Sequence, residues 1–273
     1  MSIITISRGS YSRGKEVAEK LAQKLGYECI SRDIILEASE NFNIPEIKLV
    51  RAIHDAPSIL DRFTYGKEKY VSYIRAALLK RVQKDNVVYH GLAGHFLLQG
   101  IPHVLRVRII ADLEDRVKEE MKRENISAEK ARYILKKDDD ERRKWALHLY
   151  GIDTWDPSLY DMVIHIKAIT VEEAVNIILC TVKLPVFQTT PRSQGILDDL
   201  AFGAQIQAAL VEDFPSISVS AKDKEVYVTV KGAIIDEKEL AAQVKRIAQR
   251  ISGIGIEVEV KVQHILRPEI AID

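Results

Sequence analysis

The chain has 273 residues, 47% of them hydrophobic and 29% charged, which supplies a full core for a soluble globular protein and room for two domains. Forty basic residues balance forty acidic ones, and that zero formal charge argues against a broad nucleic-acid or anionic-membrane surface. Cys29 and Cys180 lie far apart without paired-ligand spacing, no run approaches a membrane span, and four apolar residues before Arg8 make no signal peptide, so a cytoplasmic protein with reduced, buried thiols is expected.

The first predicted element is a strand over the apolar run 3–6, which delivers the chain into "SRGSYSRGKEVAEKL", residues 7 to 21. Behind it Val17, Leu21 and Leu25, with Ala18 and Ala22, recur at helical spacing, and Gly26 closes the helix. A strand entering a glycine-containing turn and then a helix N-terminus makes an anion site, because the free N–H groups of the first turn and the helix dipole both favour negative charge. Gly9 and Gly14-Lys15 stand at the interval of a phosphate-binding loop, and Ser10, Ser12, Arg13 and Glu16 complete the candidates for holding ATP. Lys15 is placed to meet the β- and γ-phosphates. Glu16 stands where such loops carry a magnesium-binding hydroxyl, so Mg2+ is expected to be held mainly by substrate oxygens and water, with no protein metal ligand. The competing reading is a tight turn with an exposed lysine.

Further strands are predicted at 87–89, 104–110 and 162–166, with two or three helices in the charged stretch between the last two. Thr170 and Glu173 form a capping box that opens a helix over 171–179. Strands alternating with helices predict an α/β fold, a parallel sheet with helices on both faces. His90, His95 and His103 have no metal-pair spacing, but His90 at a strand end can approach a ligand at the carboxyl edge of the sheet. Prolines and polar residues in 185–195 predict a linker between a first domain, 1–184, and a second, 196–273. In the second, a helix near 196–211, a hairpin turning at Lys222-Asp223-Lys224, a helix after Asp236 and a last strand near 256–262 give the order α-β-β-α-β.

"ITISRGSYSRGKEVAEKLAQKLGYECISRDII" resembles the opening of the cytidylate kinase-like family, within the P-loop nucleoside monophosphate kinases. Ser7, Arg8, Ser12, Gly14, Lys15 and Glu16 match its loop, and Arg32 and Asp33 match its Asp-Arg-Glu-like triplet. "VLRVRIIADLEDRVKEEMKRENISAEKAR", with Arg116, resembles the strand and helix leading into the family's lid; "KKDDDERRKW", with Lys137, Asp139 and Arg142, resembles the lid itself; and "DPSLYDMVIHI" resembles the final strand. Two departures stand out: Tyr11 and Arg13 where the family is glycine-rich, and His90-Gly91 where its pattern has Gly-Arg.

The resemblance implies transfer of the ATP γ-phosphoryl group to a nucleoside monophosphate, nominally CMP, with a helical lid closing over both substrates. It implies catalytic roles for Lys15, Arg142 and Asp139, acceptor contacts from Arg8, Arg32 and Asp33, and substrate contacts from Arg132 and Lys137 closing with the lid; His90 joins the substrate-binding candidates from its place at the strand end. Without it, the charged lid segment reads as solvated helix faces. The alternative function is a catalytically weak nucleotide-binding sensor whose second domain reports occupancy, which the two departures favour. "ISVSAKDKEVYVTVKGAIIDEKELAAQVKRIAQRISGIGIEVEVKVQ" resembles the BON domain, which implies a small-ligand or protein-contact role, homo-oligomerisation included. Nucleotides are the expected partners, with no nucleic acid and no membrane span.

Overall fold

The computed structural model describes residues 1–10, 12–31, 33–42, 66–91, 93–223, 225–231, 236–253 and 259–265. Five parallel strands, β1 (Ile3–Arg8), β2 (Glu28–Ile30), β3 (Val87–Tyr89), β4 (Val104–Ala111) and β5 (Met162–Ile166), form one sheet in the order β2-β3-β1-β4-β5. Alternation along β1 sends neighbouring side chains into two different cores. Ile4 and Ile6 join Val88, Leu105, Val107 and Ile109 beneath α1 (Gly14–Leu25) and α7 (Val171–Thr181). Ile3 joins Val87, Tyr89 and Val104 on the opposite face, beneath α2 (Asp33–Phe42) and α3 (Gly66–Val82). Both faces are covered, so the strands read as nearly continuous apolar runs.

The charged stretch folds as two helices, α5 (Leu113–Glu124) and α6 (Ala128–Tyr150), after the short α4 (Gly94–Leu97). Ser127 caps α6 by accepting from the Lys130 N–H, and Thr170 and Glu173 form the expected capping box of α7. Cys180 is exposed rather than buried, because α7 turns Val171, Ala174, Val175 and Ile178 toward the sheet and leaves Cys180 off that stripe. No helix among the described residues is long and apolar enough to cross a membrane.

Residues expected as a linker are packed. Pro185–Phe187 is a 3-10 turn whose Phe187 enters the core under α7, and Thr189 donates both its N–H and its hydroxyl to the Met1 carbonyl at 2.9 Å. α8 (Pro191–Leu210) starts five residues before the expected position, because Thr190 and Ser193 form a capping box with proline at the first helical position. Beyond it, β6 (Ile217–Lys222) and β7 (Glu225–Lys231) pair antiparallel, α9 (Glu237–Ser252) follows, and β8 (Glu259–Ile265) pairs parallel with β7. The order is α-β-β-α-β. Residues 256–258 of the expected last strand lie outside the described residues.

α8 belongs to two cores. Leu197, Ala201, Ala204 and Ala208 pack with α3 in the core of the large sheet, whereas Ile206 and Leu210 pack with Val219, Val226, Val228, Leu240 and Val244 in that of the small one. Gly203 lets α8 cross β6 closely: a Cβ there would lie 3.2 Å from the Ala221 nitrogen.

Candidate phosphate and acceptor site

The loop between β1 and α1 is shaped by close backbone approach. A Cβ on Gly14 would stand 2.7 Å from the Arg8 Cβ, so only glycine lets the first turn of α1 lie over the Arg8 stem. Arg13, the N-cap, holds left-handed angles (φ 65°), and no side chain caps the helix, which leaves its first-turn N–H groups for another acceptor. Ser12 donates to the Gly9 carbonyl at 3.0 Å and tightens the turn. Ser10 donates to Asp138 of α6 at 3.3 Å.

The cations of the loop are held by nearby carboxylates. Arg13 grips Glu16 through Nε and Nη2 at 2.9 and 2.7 Å, Lys20 adds a contact to Glu16 at 3.3 Å, and Lys15 rests 3.6 Å from Glu19. Partial burial raises the Glu16 pKa, but the hydrogen bonds and charge of Arg13 and Lys20 more than offset it and set the carboxyl below its ordinary range. Lys15 and Glu19 are both more than half exposed, so their pair is worth a few tenths of a kcal/mol and yields readily to phosphate.

Next to this loop lies a cavity of 490 Å³ at the carboxyl ends of β1, β3 and β4, where ligands of open parallel sheets bind. Arg8, Gly9, His90, Asp139 and Arg142 all line it, so these five candidates are brought together. Arg116 fastens the lid helix to the loop: Nε donates to the Ser10 carbonyl at 2.6 Å, and Nη1 meets Asp139 at 2.8 Å. Arg142 is half-buried on the same helix and has no carboxylate partner among the described residues. His90 and His95 are both buried and held neutral. Burial leads in each; Arg8 depresses His90 further, and Arg108 and Arg106 help to push His95 down to about 3.

Two candidates point elsewhere. Arg132 grips Glu114 on α5 at 2.7 and 3.2 Å, and Lys137, 58% exposed, leans toward Glu141 at 3.8 Å; neither lines the cavity. Both face local carboxylates because α6 carries acids one turn away or packed beside it. Arg32 lies outside the described residues. Asp33 begins α2, but its side chain lies outside them too. Sequence reasoning missed Arg108, Trp145 and Trp155, which also line the cavity. A signal for Arg108 exists: charge at positions 106 and 108 interrupts the apolar run of a strand covered on both faces.

A parallel sheet of this order, a glycine-bounded loop feeding an uncapped helix, and an arginine-lined cavity over the strand ends define a P-loop kinase fold. The chain belongs to the Cytidylate kinase-like family, whose model matches residues 3–168. Curated relatives include a cytidylate kinase of Sulfolobus acidocaldarius, 28% identical over 177 residues spanning 64% of this chain and 91% of that one. A cytidylate kinase of Archaeoglobus fulgidus is 29% identical over 187 residues, 66% of this chain and 94% of its own. Among solved structures, an uncharacterized protein from Eubacterium ventriosum shares the fold with a TM-score of 0.52 at 19% identity, covering 67% of this chain and 99% of that one.

Proposed function

We propose that this protein is a nucleoside monophosphate kinase that moves the γ-phosphoryl group of ATP to CMP or a close analogue. The observation that carries the reading is the adjacency of the uncapped loop–helix junction to a cavity lined by Arg8, Arg108, Arg123 and Arg142 against one carboxylate, Asp139. Phosphoryl transfer asks for positioning and for positive charge around the moving group, which this arrangement supplies.

The first-turn amides of α1 and the turn at Gly9 suit the donor polyphosphate, and Lys15 leaves Glu19 to join it. Magnesium enters with ATP as part of the substrate. Glu16 is occupied by Arg13 and Lys20, so phosphate oxygens and water would supply most of its coordination. Arg142, paired with no carboxylate among the described residues, suits the charge developing between donor and acceptor, while Asp139 holds Arg116 and keeps α6 against the loop. Asp139 is thus a positioning residue in this reading. Neutral His90 and His95 leave the arginines to carry the charge. For the C-terminal unit we propose a ligand-sensing or protein-contact role, which its α-β-β-α-β order supports.

The test is ADP release from ATP with CMP, dCMP, UMP or AMP as acceptor, run on the wild type and on Lys15→Ala. Acceptor-dependent release, highest with a cytidine nucleotide and reduced at least tenfold by the substitution at unchanged melting temperature, is expected. Nucleotide binding without acceptor-dependent release would instead indicate a sensor.

A further inference from the structure

Arg106 and Arg108 project from one face of β4, but among the described residues only Arg106 is bonded to a carboxylate: Asp161 accepts its backbone N–H at 2.8 Å and its Nε at 3.3 Å. Arg108 is held by neutral groups. Its Nη1 donates to the Thr154 carbonyl and to the Tyr160 hydroxyl oxygen, the latter at 3.1 Å, and the guanidinium sits 5.4 Å from the centre of the Tyr160 ring. Tyr160 donates its own proton to the Thr154 carbonyl at 3.0 Å, so its oxygen is an acceptor toward Arg108. The same oxygen lies 3.4 Å from both Ser7 Oγ and His95 Nε2, which fixes the phenol in place.

Such a clasp orients a guanidinium without neutralising it. One edge is engaged, while Nε and Nη2 have no partner among the described residues and the side chain lines the cavity. A cation kept on a strand between two cores, against aromatic walls and bonded to no carboxylate among the described residues, has its free edge left for an anion that enters; the nearest acids are engaged elsewhere, Asp153 by Arg143 and Asp139 by Arg116. The free edge of a guanidinium matches two oxygens of a phosphate monoester, and the neighbouring imidazoles, held neutral, cannot serve that purpose. We infer that Arg108, clasped by Tyr160 and Thr154, is the anchor for the phosphate of the acceptor nucleotide. The inference rests on the phosphoryl-transfer reading for the identity of that acceptor, but not for the presence of the anion site.

Both tryptophans of the chain, Trp145 and Trp155, line this cavity, so their fluorescence reports its occupancy without any turnover. CMP and cytidine, which differ only by the phosphate, are titrated into the wild type, Arg108→Gln, Arg108→Lys and Tyr160→Phe, each first checked for an unchanged melting transition. Arg108→Gln is expected to weaken CMP about 10- to 100-fold, the worth of a charge-assisted contact, and to leave cytidine unchanged. Arg108→Lys should recover part of the loss, since it keeps the charge without the fork, and Tyr160→Phe should give a smaller loss confined to CMP. Equal affinity of Arg108→Gln and wild type for CMP would overturn the assignment, as would equal weakening of CMP and cytidine, or no CMP binding by the wild type. Should Arg108→Gln be too unstable to titrate, Arg108→Lys decides by the same comparison. Selective loss of CMP together with no acceptor-dependent ADP release would sink the kinase reading and leave this site standing.

Discussion

His103 has no exposed surface, and neither ring nitrogen has a hydrogen-bond partner among the described residues. Burial holds its pKa below the ordinary value; the Asp85 charge opposes that shift and the N-terminal ammonium reinforces it. His90 and His95 are depressed as well, again chiefly by burial. In all three the unfolded chain binds a proton that the folded chain refuses, so stability is complete above the unfolded value of about 6.5 and is lost as the pH falls below it. For His95, held down at about 3, the slope approaches about 1.4 kcal/mol per pH unit in that range. Urea unfolding at pH 8 and pH 5.5 should show this loss, and His103→Leu should shrink it while costing little at pH 8, since an apolar side chain leaves no orphaned nitrogen. An unchanged difference between the two pH values would contradict the assignment. At this scale the sequence was partly readable. The place of Gly14 and Lys15 at the loop–helix junction was legible because a phosphate loop fixes their spacing, whereas the local partners of Arg132 and Lys137 were not, because nothing in a charged helix says which cations already have carboxylates beside them. Arg108 was hidden because its partners, Thr154 and Tyr160, come from a distant loop.

Elements with a clear period or cap were legible. β3 and β5 fall on the expected residues, and the capping box of α7 sits where Thr170 and Glu173 placed it. β2 was missed because three residues carry too little pattern. α3 was missed for the opposite reason. Tyr73, Ile74, Ala76, Ala77, Leu78 and Leu79 are all buried, so the helix has no polar stripe to reveal a 3.6-residue period. It is enclosed because α8 packs against it in the same core, a contact between segments more than a hundred residues apart. We propose that the boundary between the two folding units runs along α8 rather than ahead of it. Leu197→Ala, at a fully buried site, should cost about 2–5 kcal/mol in the unfolding of the large-sheet core, and a chain ending at 184 should expose the α3 face and fold poorly. A soluble 1–184 chain with the wild-type melting temperature would contradict the shared-helix account.

For the whole molecule, the family match ends at residue 168, and the small sheet lies beyond it, joined through a helix embedded in the catalytic-type core. That junction gives the C-terminal unit a direct mechanical hold on α3. The lid is held too, through Arg116, Asp139 and Ser10, so loop, lid and cavity form one connected structure. Balanced charge overall coexists with a local excess of arginine, which composition alone could not locate. The central claim is that donor phosphates lie on the first turn of α1 while the acceptor fills the adjoining cavity. A crystal structure with adenosine and cytidine joined by a polyphosphate chain tests it most directly. The account predicts phosphate oxygens on the amides of residues 14–16 with Lys15 turned away from Glu19, and the cytidine end between Arg108 and Trp155. Phosphates bound away from that turn, with Lys15 still against Glu19 and the cavity empty, would contradict it.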